Sequence, residues 1–128
     1  VRKRKERIDR PTEAFRRWAR AGCPSAEEIQ SRGGPWARDM LACVAVFDVL
    51  GNNPHRRANG TDADVMRAVR GVYMIDAGRP LRRREITGRV RSVAAQCFVS
   101  ERTVFAWLAK ARRMWEGFAS NTEDFPQT

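Results

Sequence analysis

Between Ser92 and Arg113 the chain reads SVAAQCFVSERTVFAWLAKARR, an order of residues that constrains this segment to two helices meeting at a tight corner. Ala94 and Ala95, with Val93 beside them, provide the small side chains that a close helix crossing needs. Cys97, Phe98 and Val99 then turn the chain. Ser100 stands where an N-cap hydroxyl accepts a free backbone N–H, so the second helix is expected to begin at Glu101. Val104, Trp107, Leu108 and Ala111 recur at three- and four-residue intervals and define its expected buried face. Glu101, Arg102, Thr103, Phe105, Ala106 and Lys110 fall outside that face, and Arg112 and Arg113 follow. Phe98 takes the corner position that usually belongs to glycine, the residue most tolerant of a left-handed backbone.

A helix-turn-helix lays its second helix in the major groove of double-stranded DNA, where the N-terminal residues meet base edges and flanking groups hold phosphates. Arg102 is the leading candidate for a base contact, because arginine donates two hydrogen bonds to the O6 and N7 of guanine. Ser100, Thr103 and Lys110 suit phosphates or thymine methyls, and the start of the helix itself favours a phosphate. The expected DNA-binding set is therefore Ser100, Glu101, Arg102, Thr103, Phe105, Ala106, Lys110, Arg112 and Arg113. The alternative is an ordinary helical hairpin with a basic outer face.

The charge distribution weighs in favour of DNA. The net charge of +10 is carried at two poles, with +6 over residues 1–20 and +8 over residues 79–113, while residues 21–78 contribute −1. The second pole coincides with the helical corner, where a polyanion would be held. Arginine outnumbers lysine 22 to 3, which a GC-rich genome explains as well as a preference for phosphate and guanine.

With 128 residues and 42% hydrophobic composition, the chain is long enough for one modest core without disulfides or metal. Cys23, Cys43 and Cys97 are far apart and set in apolar contexts, so buried reduced thiols are expected. One histidine, His55, leaves no zinc-ligand spacing; no metal or cofactor is expected. The longest apolar run, Leu41 to Phe47, is too short to span a bilayer, and no signal peptide or membrane anchor is visible. The expected location is the cytoplasm of a bacterial host cell, with no membrane partner.

Expected organisation is a basic flexible arm (1–11), one all-α compact helical domain (12–118) with the helix-turn-helix at about 90–114, and a mobile tail (119–128). The arm carries Arg2, Lys3, Arg4 and Lys5, read either as solvated or as tracking nucleic-acid phosphates. Thr12 is expected to cap a first helix through Arg20, with Phe15, Trp18 and Ala19 inward and Arg16, Arg17 and Arg20 outward. Ser25 and Glu28 form a capping-box pattern for a second short helix. Trp36 to Leu50 is the most hydrophobic segment and the expected central core helix. Residues 51–60 compose a loop, and Thr61 or Asp62 is expected to cap a helix with Val65, Val69, Val72 and Tyr73 inward. LRRREITGRVRSVAAQCF reads as one helix or as two broken at Gly88.

SVAAQCFVSERTVFAWLAKAR resembles the DNA-reading unit of sigma factor region four and of related bacterial and phage regulators, in which VSERTV would open the recognition helix. The whole chain, with FRRWARAG near its start, a helical middle and this unit near the end, also resembles phage late-gene antiterminators of the Q type. That resemblance implies binding to DNA near a late promoter, engagement of bacterial RNA polymerase and sigma factor, and suppression of termination. It further implies polymerase contact through the N-terminal helices and the 51–60 loop; sequence-independent phosphate contacts would suit the basic arm to a path for nascent RNA. Rival readings are a phage small terminase subunit that recognises packaging DNA, and a dimeric repressor or activator. An enzyme is not expected: Tyr73 is the single tyrosine, and there is no paired acidic cluster or serine with a nearby base.

Overall fold

Asp9, not Thr12, starts the first helix. Its carboxylate accepts from the backbone N–H of Thr12 at 3.0 Å, and Pro11, with its φ preset for a first turn, lets α1 run over Arg10–Arg20. The expected arm thus loses its last two residues to the helix. The computed structural model describes residues 8–52 and 61–120, and every regular element in them is helical.

Ser25 and Glu28 exchange both capping-box hydrogen bonds, at 2.9 and 3.2 Å, and open α2 (Ala26–Arg32). Helix α3 (Ala37–Asn52) buries Ala42, Cys43, Val46 and Leu50 and packs against α1, α2 and the two helices α4 (Thr61–Val69) and α6 (Glu101–Ser120). It is the central element that its composition promised. Around it Phe47 meets Phe15 and Trp18 with ring centroids 6.0 and 5.1 Å apart, the tilted and edge-on arrangements that aromatic quadrupoles favour. Trp115 of α6 donates its indole N–H to the Asp39 carbonyl at 3.1 Å, so its polar handle is satisfied inside the core.

Helix α4 passes into a π-helical turn, Arg70–Met74, that keeps Val72 and Tyr73 buried. Gly71 sits in that turn because the next helix, α5 (Arg83–Cys97), comes so close that a Cβ would meet Val93 Cγ2 at 2.8 Å. Helix α5 is one continuous helix through Gly88, which resolves the choice between one helix and two.

The largest departure from expectation is Arg16, placed outward by its helical spacing yet only 2% exposed. Its guanidinium donates to the carbonyls of Tyr73 at 2.7 Å, Ile75 at 3.2 Å and Asp76 at 2.8 Å, and also to that of Arg79. Arg89 from α5 donates to Val72 and Ile75 carbonyls at 2.9 and 3.0 Å, and Arg20 to that of Ala77 at 3.0 Å. Together they satisfy the carbonyls left open where the π turn ends, groups that otherwise lack intrahelical partners. Burial first, then the nearby charge of Arg89, holds the Arg16 pKa below its ordinary value.

Candidate nucleic-acid interface

Helix α5 ends in a Schellman arrangement: the Val99 N–H donates to the Ala94 carbonyl at 3.0 Å and the Phe98 N–H to that of Ala95 at 3.4 Å. Phe98 carries the reversal in a left-handed conformation, φ 58° and ψ 44°. Val99 packs against the core, and Ser100 begins the next helix, its hydroxyl accepting from the Thr103 N–H at 3.2 Å. The Ser100 and Thr103 hydroxyls also lie 3.1 Å apart, which ties the first turn of α6.

The buried face of α6 is Val104, Leu108, Ala111 and Trp115. Trp107, expected among them, is only half-buried at the edge of the cluster, and Trp115 takes the central place. The difference follows from length: α6 runs to Ser120, so residues one turn further along set which stripe faces α3 and α4.

Of the residues expected to meet DNA, Ser100, Arg102, Ala106 and Arg113 are exposed, and Thr103 is half-buried and bonded to Ser100. Glu101 pairs with Arg91 of α5 at 3.3 Å across the corner, in a bridge whose side chains are largely in solvent. Phe105 is also exposed, and it borders a groove lined by Ile86 and Thr87 of α5 and by Ile8 and Thr12 at the start of α1. Lys110 and Arg112 are half-buried and paired with groups of other helices. Lys110 pairs with the buried Asp62 of α4 at 3.2 Å, and Arg112 donates to the Tyr73 hydroxyl at 2.8 Å while lying 3.6 Å from Asp9. Their positions on the helix bring them over α4 and α1, partners whose place no local pattern reports. Arg2, Lys3, Arg4 and Lys5, and residues 53–60 with His55, lie outside the described residues.

At the other end of α5, Arg82, Arg83 and Arg84 are exposed. Glu85 accepts from Arg79 at 2.7 Å and from the backbone N–H of Arg82 at 3.0 Å; these bonds, the arginine first, hold its pKa down to about 2. Arg91 and Arg84 were not among the expected contacts, although their spacing of seven residues would have placed them on one face.

The cysteines divide. Cys43 is buried, and burial pushes its thiol pKa up; Cys97 is half-buried and accepts from Arg67 at 3.5 Å; Cys23 is exposed, contrary to expectation, because it lies in the turn after α1 with φ 53°. Among the described residues no group of three histidine, cysteine or acidic side chains is placed to hold a metal ion. No helix among them is long and apolar enough to cross a membrane. Comparison with protein-family models, with curated proteins and with solved structures yields no match to this chain.

Proposed function

We propose that this protein binds double-stranded DNA through the α5–α6 corner and regulates transcription. One observation carries the reading: the Ser100-capped start of α6 carries Arg102 in solvent, with the exposed Arg91 of α5 beside it on Glu101, whereas Arg16, Arg20 and Arg89 are all engaged with carbonyls. A guanidinium with no described partner at a helix start, on a chain of net charge +10, suits guanine and phosphate recognition. The set that suits it is Ser100, Arg102, Thr103, Ala106 and Arg113, with Arg91 bridging to Glu101 as a phosphate contact from the first helix.

Within that class we propose an antiterminator that loads at a late promoter and then acts on RNA polymerase. Support for this comes from the resemblance of the helix order to Q-type proteins and from a neutral middle that leaves surface for a protein partner. Two assays test the levels separately. Fluorescence anisotropy on duplex DNA should show salt-dependent binding, with log affinity falling linearly with log salt; salt-insensitive or absent binding overturns the DNA reading. Transcription by purified bacterial polymerase across a terminator should show read-through with the protein present. DNA binding without read-through would leave a repressor, an activator or a packaging protein, which light scattering then separates as dimer or ring.

A further inference from the structure

Phe98 has a side chain that the fold does not use. Phe98 is 93% exposed, while Val49, Ile75 and Phe105, the other exposed large apolar residues among those described, are 44%, 49% and 42% exposed. Its backbone sits in the left-handed region, where a Cβ is costly and glycine is favoured. At Gly22, Gly33 and Gly34 the chain meets positive φ with glycine; Asp76 belongs to the small polar type that tolerates it, and Cys23 is small. Both capping bonds at the corner are made by main-chain N–H groups and would survive a glycine. A bulky apolar ring kept in water on a strained backbone, with no internal contact to gain, points to a contact outside the chain.

The surroundings select the class of partner. Phe98 lies two residues before the Ser100 cap, in a corner bordered by Arg67 on Cys97, Arg91 on Glu101, and Arg102. Three cations against two carboxylates, Glu101 beside Arg91 and Asp64 near Arg67, leave the border net positive, which suits a polyanion better than an apolar protein surface. The apolar feature that DNA offers in its major groove is the C5-methyl of thymine. We infer that Phe98 contacts DNA directly, seating its ring against a thymine methyl at the margin of the site met by the start of α6. The inference rests on the proposal that α6 enters the major groove.

The test uses the full chain and duplexes selected from a randomised pool, measured by anisotropy. With wild-type protein, replacing each thymine by uracil in turn should reveal one position where affinity falls about threefold to fivefold, the worth of one methyl. F98G should bind the unsubstituted duplex about tenfold more weakly, be indifferent to uracil at that position, and keep the salt slope, since no phosphate contact is lost. Its Tm should rise, because glycine relieves the corner, so weaker binding would not be a folding defect. F98G that binds like wild type overturns the inference and leaves the DNA reading standing. So does a uracil penalty that persists in F98G. If F98G instead loses self-association with DNA binding intact, the ring belongs to a second copy and the inference is wrong. If no duplex is selected at all, the DNA reading falls first and this inference with it.

Discussion

Arginines at two places in this molecule meet opposite circumstances. Around residues 72–79, Arg16, Arg20 and Arg89 converge from α1 and α5 on main-chain carbonyls. At the α5–α6 corner, Arg91 and Arg102 stand in solvent, the first in a loose bridge to Glu101. The side chain is the same, and what differs is what lies opposite it. A helix end exposes carbonyls that need donors, and a guanidinium supplies five in a rigid fork. A helix start exposes N–H groups that repel a cation, so arginine there is free to meet an anion from outside. Net charge alone therefore overstates the surface available to a polyanion, because part of it closes the fold.

The largest expected effect is at Arg16. R16M should lose about 3 kcal/mol or more in urea denaturation, since the carbonyls of Tyr73, Asp76 and Arg79 lose their side-chain donor while that of Ile75 keeps Arg89, and R16K should rescue little because an ammonium lacks the planar fork. An unchanged midpoint would mean the carbonyls find water instead.

At the other place, R102A should leave melting unchanged and cost about 1–3 kcal/mol of affinity for the preferred duplex, with relaxed preference at one base pair. Equal losses on all sequences would reduce Arg102 to a phosphate contact.

Lys110 sharpens the boundary between the two uses. The sequence places it facing DNA, but the structure pairs it with buried Asp62. K110A should therefore lower stability by about 1 kcal/mol with little change in the salt slope of DNA binding. A slope reduced by about one with stability intact would return it to the interface.

The smallest effect belongs to Glu85. Its carboxyl is held down to about 2 in the folded chain, by Arg79 first and the Arg82 N–H second. A depressed carboxylate stabilises the fold above its unfolded value of about 4.3, and that contribution fades as pH falls through the folded value. Acid titration followed by circular dichroism should therefore show a shallow loss between about pH 4 and 2 that E85Q removes; an identical E85Q profile would show the bridge contributes nothing measurable.

Much of the chain could be read from nearby residues. The Ser25–Glu28 box, the Ser100 cap, the turn at Phe98 and Val99, one residue shorter than expected because Cys97 stays helical, and the inward valines of α4 each depend on groups within a few positions. Asp9 caps α1 three residues ahead of the expected Thr12 because Pro11 accepts a helical first turn. Gly88 raised a break that did not occur, since packing of Val90 and Val93 outweighs one unfavourable propensity.

Periodicity and capping by themselves determined the all-helical character of the described residues, the order of their helices and the corner at Phe98, because these arise from bonds three or four residues apart. Only the tertiary structure decided which cations stay outside. Arg16 meets carbonyls 57 to 63 residues away, and Lys110 meets a carboxylate 48 residues away. A helical wheel assigns polar residues to solvent, and it has no knowledge of the carbonyls or carboxylates that another helix brings to them.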